Sequence, residues 1–494
     1  MASTSIQSVI DLNLERALQH DLSLAQALEI CEFAHQLDPQ NMAPFLTGIA
    51  VYEHHRRTDL AGPWLDRALA VFPHDVVLLR ARALAYELEG YPDLGLVYLN
   101  RAIALDPGND PYGAEAARMY MYMARLEEAL PRFAAAVERL VSDTSPYATK
   151  VIRLYGDALL KAGDVSGFIH YLKRLESDCG YYEIAGLGWW AGGDVAGKRL
   201  FLTHQLGYGD QFLLAAIVPR LRERGCEVYL TVDHLAYELI ATSLGPQYVR
   251  PEMRACVPGL GPTPELQAWV DQVQPDVQAT LLHLPTIAQR MGVPSSDFFL
   301  PYVQAPSNVR EAMEPFMEAI RAEAAGRTIV GVAWDCIQRD QPEIFGTYAA
   351  CFAKRRSVPT KLISALTDDP EIRERYYFVS LMHESHYVRF EDPLPENMAH
   401  LRTVLSSFAA TAAIMEQLDF IVSIDMSVSN LSCSQGKETW VLLQHEGEWR
   451  FGVSGPTSPW FATARAFRQR VPFDWEGVMS NVRTALLERG AAGG

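Results

Sequence analysis

The proline spacing in the first third of the chain restricts its fold more than any other feature. Pro39, Pro73 and Pro107 end helical stretches in HQLDPQN, AVFPHD and IALDPGND, and each lies 34 residues from the next. Ala34, Ala68, Ala102 and Ala136 keep the same step, as do Tyr52, Tyr86 and Tyr120. Three residue types in register at one period describe a stack of helix pairs. Alanine lets two helices approach closely. Tyrosine fills the gap toward the next pair. Proline sets the turn, because it cannot continue the preceding helix. One pair cannot bury its own apolar face, so the units stack into a superhelix with a concave surface. The pattern runs over roughly residues 5–175, closed by a degenerate pair at 147–176. A surface of this kind suits a polypeptide partner. A spacer or a dimerisation module would use the same array, and the ligand is not written in the sequence.

The bulk properties narrow the rest. At 494 residues the chain has room for two to four domains. Its net charge of −17 and its longest basic run, Lys354 to Arg356, argue against nucleic-acid or anionic-membrane partners. There is no apolar run of the ~18 residues that a membrane span needs, and the N-terminus lacks a basic start followed by an apolar core. Seven scattered cysteines, without CxxC or zinc spacing, suit a reducing cytoplasm, and no metal ligand set is expected.

From about residue 198 the pattern changes to α/β. KRLFLTH, CEVYLTV (226–232) and a stretch within 275–285 read as strands, separated by amphipathic helices. A polar helix over 307–327 leads to strands in 328–335 and 375–382, and residues 411–444 read helix, strand, tight turn, helix, strand. The expected domains are therefore a repeat domain at 1–180 and two Rossmann-like α/β domains at 181–306 and 307–494. In open parallel sheets, ligands sit beyond the carboxyl ends of the strands.

Two strand-to-helix bends lie at such ends. In LTHQLGYGDQFLLA (202–215), Gly207 and Gly209 permit close backbone approach, and Asp210 is a candidate for accepting a proton from a hydroxyl. A helix capped by Asp210 explains the same residues. In IVSIDMSVSNLSCSQG (421–436), Asp425, Ser427, Ser429 and Asn430 surround a helix start suited to a phosphate, or one merely capped by Asp425 or Ser427. A third cluster at 446–469 holds two tryptophans, Trp449 and Trp460, with Arg450, Arg465 and Arg468, residue types suited equally to phosphate recognition and to packing. AKRRSVP (353–359), with Arg356, reads as a basic loop facing a cleft or water.

In order, these segments resemble bacterial tetratricopeptide-repeat glycosyltransferases related to the ADP-heptose:lipopolysaccharide heptosyltransferases. WWAGGDVAGKRLFLTHQLGYGD is similar to that family's tryptophan-glycine entry and E-Q-G-L-G-D loop. LLHLP, VGVAW, RRSVP and FVSL follow in the expected order, then LDFIVSIDMSVSNLSCSQGKETWVLL and EWRF, SPWF and AFRQ. The resemblance implies a GT-B architecture and inverting, metal-independent transfer from a nucleotide sugar (CMP-, UDP- or dTDP-linked) with no other cofactor. It makes Asp210 the general base and residues 425–430 the diphosphate seat, with Arg450 or Arg356 neutralising the leaving group; Trp449 falls in the same donor segment. The missing D-x-D near a strand end agrees with metal independence. The implied acceptor is a protein Ser/Thr held by the repeats; flagellin is one that repeat-bearing members modify. The chain departs from the family at Gln205, Leu206, Ala216, Asn430 (where the family has histidine) and Glu438. These departures point to a different donor sugar or to weakened catalysis. Two alternatives therefore stand beside the transferase: a non-catalytic adaptor, and a transferase for a glycan or lipid acceptor.

Overall fold

The computed structural model describes residues 6–108, 110–140, 142–173, 175, 181–253, 259–336, 347–388, 390 and 392–492. The chain divides into two compact units. One comprises Met1–Arg132 with Cys336–Arg355, the other Phe133–Asp335 with Arg356–Gly494. No helix among the described residues is long and apolar enough to cross a membrane.

The first unit is built from helix pairs. Leu24–Leu37, Gly62–Val71 and Pro92–Leu105 each stop two residues before a proline of the repeat. Ala34, Ala68 and Ala102 are fully buried where the pairs meet. A second small-residue row, Ala27, Ala61 and Gly95, runs at the same step and is also buried. A Cβ on Gly95 would come 2.8 Å from the Ala83 carbonyl oxygen, so the close approach there excludes a side chain. Tyr52 is buried, and Tyr86 lies against Tyr98 with the Arg82 guanidinium 3.6 Å from its ring centroid. Successive pairs are also joined by ion pairs, Arg80–Glu115 and Arg118–Glu87.

The described residues 347–355 belong to this unit. AKRRSVP is not a loop throughout: its basic residues form the last turn of the helix Thr347–Arg356. Thr347 donates to the Arg56 carbonyl, the Tyr348 and Tyr122 hydroxyls are bonded, and Arg355 donates to the Leu88 carbonyl at 2.6 Å. Leu88 and Tyr122 are one repeat apart, so the helix follows equivalent positions of consecutive pairs.

Among its described residues, the second unit contains two all-parallel sheets. The first has strands β1 (Arg199–Thr203), β2 (Glu227–Val232), β3 (Val249–Pro251) and β4 (Val277–Thr280), in the order β3-β2-β1-β4. The second has β5 (Thr328–Ala333), β6 (Tyr376–Ser380), β7 (Met398–His400), β8 (Phe420–Ile424), β9 (Thr439–Leu443) and β10 (Ala464–Arg468), in the order β10-β9-β8-β5-β6-β7. β6, β8 and β9 are buried along their whole length, as strands covered on both faces must be. The chain is thus a set of helical repeats followed by paired Rossmann-like sheets. Each sheet has one switch point, where the strand order reverses: between β1 and β4 in the first, between β5 and β8 in the second. A crevice opens at such a point beyond the strand ends.

The last helix pair, Pro146–Lys161 and Gly167–Tyr171, also lies in this unit. Buried Lys161 donates to the carbonyls of Glu446 and Gly447 at 3.1 and 2.7 Å, and Trp460 donates to the Leu160 carbonyl at 3.1 Å.

The repeat packing predicts one sharp sensitivity. A methyl on Gly48 would lie 2.4–2.6 Å from atoms of the Trp64 ring, which is fixed by its bond to the Phe45 carbonyl. Gly48→Ala is expected to cost about 1–3 kcal/mol, read as a lower urea midpoint. An unchanged midpoint would show that the two helices separate freely.

Candidate functional site

Both switch points carry a bend of the kind seen in the sequence. After β1 the chain turns at Gly207 into the helix Tyr208–Ala215; after β8 it turns at Met426 into the helix Ser427–Ser434. The N-caps are therefore Gly207 and Met426, not the acidic or serine residues that a simple capped helix would use. Asp210 is the third residue of its helix, and Asp425 immediately precedes the other cap. The two helices pack against each other. Their first turns meet at Gly209 and Ser427, so two helix N-termini with their partial positive charge lie side by side.

Glycine makes this approach possible. A Cβ on Gly209 would lie 2.6 Å from Asn430 Nδ2 and 3.4 Å from Ser427 Cα. Gly209 thus gives room to the second helix rather than to a ligand. Gly207 is the open one: a side chain there would meet nothing within 4 Å. The tyrosine between them packs on Phe408 at 4.9 Å, and Phe212 packs on the same ring at 5.0 Å.

The charges converge on Arg450. It forms an ion pair with Asp210, and its Nη1 lies 3.4 Å from Glu448 Oε2. Its residue is 8% exposed, and its Nε has no hydrogen-bond partner among the described residues. Burial disfavours its charge, but Asp210, Glu448 and Asp425 outweigh that and hold the guanidinium above its ordinary range. Asp425 experiences the opposite balance. Burial, then the Glu448 charge, push its carboxyl up to about 6, against the pull of Arg450 and Arg356. Arg356 thus acts on Asp425 electrostatically, while its neighbour Arg355 is committed to Leu88.

The remaining candidates separate into those that face the site and those that build it. Ser427 is partly exposed. Ser429 is buried, accepts from the Met426 amide and donates to the Met426 carbonyl. Asn430 Nδ2 donates to that carbonyl as well, at 3.1 Å, and leaves its buried Oδ1 without a partner among the described residues. Trp449 is buried in an aromatic cluster, 5.6 Å from Phe168 and 5.8 Å from Trp460, so its ring holds the Arg450 backbone in position. Arg468 donates to the carbonyls of Phe451, Gly452 and Gly455. Arg465 lies against Trp440 and Phe467. Of the third cluster, only Arg450 reaches the acidic group.

Sequence reading missed Glu448, two residues before Arg450 in EWR, and Gln211. The Gln211 amide donates to the Leu206 carbonyl at 3.0 Å and accepts from the Asp233 amide at 2.8 Å, clamping the bend. The departures are structural here. Gln205 donates to Thr203 at 2.7 and 2.8 Å, Leu206 and Ala216 are buried, and Glu438 accepts from Trp440 and Arg489.

No family model and no curated protein matches the sequence. Among solved structures, a glycosyl transferase family 9 protein from Veillonella parvula is similar over 59% of this chain and 91% of its own, at 11% identity and a TM-score of 0.39. A MamA protein is similar over 35% of this chain and 91% of its own, at 15% identity and a TM-score of 0.30. YrrB, a TPR protein with an unusual peptide-binding site, is similar over 35% of this chain and 86% of its own, at 18% identity and a TM-score of 0.29. At such low identity and overlap, function has to be read from the residues of the site.

The raised Asp425 carboxyl has a measurable consequence. Unfolded, it ionises near its ordinary 3.8; folded, it keeps its proton up to about 6. The fold therefore loses stability from this group as pH rises between those values, and the deficit persists above them. Asp425→Asn is expected to raise the melting temperature at pH 8 and to leave it nearly unchanged at pH 3.5. An equal effect at both would remove burial of charge as the cause.

Proposed function

We propose that this protein is a glycosyltransferase that takes a sugar from a nucleotide donor and places it on a protein hydroxyl. The observation that carries this reading is the meeting of two helix N-termini around Asp210, Arg450 and Asp425. Two N-termini and a buried guanidinium form a seat for a phosphate or diphosphate. A carboxylate beside that seat is where a transferase needs its base.

In this reading the acceptor oxygen attacks the anomeric carbon and its proton passes to Asp210. The bond from that carbon to the phosphate oxygen breaks on the opposite face, with inversion. The bonding pair leaves on the nucleotide. The first turn of the helix Ser427–Ser434, Arg450 and Arg356 neutralise the developing charge, without need of a metal. The repeat pairs would hold the polypeptide acceptor; flagellin and nonulosonic-acid or hexose donors are the candidates to try first, in the cytoplasm.

A second reading has its own support. Arg450 is engaged with Asp210, and Ser429 and Asn430 bond within their own turn, as expected of a scaffold that binds a partner through its repeats.

Nucleotide release from CMP-, UDP- and dTDP-sugars separates the two. The transferase reading expects turnover of one donor, with a sugar-sized mass gain on an acceptor from producing cells. Asp210→Asn should slow it by about a hundredfold or more, the usual contribution of a general base. Full transfer by Asp210→Asn would remove Asp210 as the base. A wild-type protein that binds no nucleotide leaves the scaffold.

A further inference from the structure

The contact between Asp210 and Arg450 joins two groups that the reaction needs apart. A base must offer its carboxylate to the incoming hydroxyl. A phosphate-binding arginine must offer its N–H groups to the donor. In this structure each has the other as a partner. Arg450 is nine-tenths buried, with an unpartnered Nε beside its contacts to Asp210 and Glu448. Its fork therefore has a donor left over for a further oxygen acceptor.

The charges make the arrangement exchangeable. Three carboxylates, Asp210, Glu448 and Asp425, act on Arg450, and Asp425 is also drawn by Arg356. A diphosphate brings further negative charge and matches the planar fork with two oxygens at once. It competes with Asp210 for the same guanidinium, and both carry the same sign, so the two repel when close.

We propose that Arg450 is a donor-operated latch on Asp210. The guanidinium holds the carboxylate until a nucleoside diphosphate takes it over, and the exchange frees Asp210 for the acceptor hydroxyl. Donor then binds before a productive acceptor, and Asp210 opposes donor binding even though catalysis depends on it. This inference rests on the donor reading above.

The latch makes a prediction that a simple catalytic base does not. Removing the carboxylate should strengthen donor binding, and only while Arg450 is present. Full-length protein is titrated calorimetrically with UDP, CDP, dTDP, ADP and GDP to find the diphosphate that binds. That diphosphate is then titrated against Asp210→Asn, Arg450→Gln and the double variant. The expected result is about tenfold tighter binding by Asp210→Asn, from a guanidinium released from a charged hydrogen bond. Arg450→Gln should bind more weakly than wild type, and adding Asp210→Asn to it should change nothing.

Equal or weaker binding by Asp210→Asn overturns the latch and leaves the donor reading standing. Equal tightening in both backgrounds also overturns it, since general repulsion would then explain the effect. If the wild-type protein binds none of the diphosphates, the latch falls; if it does not bind CMP either, the donor reading falls with it. Should Arg450→Gln not fold, Arg450→Lys replaces it: an ammonium cannot grip two oxygens in a plane, and the gain from Asp210→Asn should shrink to less than about threefold.

Discussion

The site depends on one close approach, that of Gly209 to Asn430. With any side chain at 209 the helix Tyr208–Ala215 could not lie against Ser427–Ser434 without moving Asn430. Their meeting brings together the switch points of two sheets, more than 200 residues apart along the chain. It also brings together two like partial charges at the helix starts, and Asp210, Asp425 and Glu448 offset them. Those carboxylates in turn need a cation, and Arg450 supplies it. The raised Asp425 carboxyl and the strongly held Arg450 proton are two expressions of the same crowding.

Arg450 is held from behind by aromatic packing. Trp449 lies between Phe168, Tyr171 and Trp460, and Lys161 bonds the carbonyls just before it. The last helix pair of the repeat pattern thus buttresses the segment that carries the key cation. The earlier pairs use their equivalent positions differently: Leu88 and Tyr122 receive the helix Thr347–Arg356. One family of helix pairs serves as internal scaffold in both units.

Much of this architecture was legible in the sequence. The 34-residue step located the helix pairs because stacked pairs must repeat their small residues and turns. The strands β1, β2, β5, β6, β8 and β9 were legible because strands covered on both faces are continuous apolar runs. The short strands β3 and β7 were not, since three residues carry no period. β10 was not read as a strand: its arginines and aromatics suited phosphate recognition and packing equally, and it forms the edge of the second sheet. The second small-residue row, Ala27, Ala61 and Gly95, was available in the sequence and belongs to the same repeat.

The sequence by itself determined the helical repeats, the parallel sheets and the two bends where chemistry could sit, because each follows from local pattern and period. Only the tertiary structure decided what the residues of those bends do. The resemblance gave Gly209 and Asn430 to the ligand, yet each fills space or bonds within the fold. Asp210 and Arg450, 240 residues apart, became partners because two sheets set their strand ends together. No local pattern encodes a pairing over that distance. It is fixed by packing, which decides which charges share a buried space and must therefore neutralise one another.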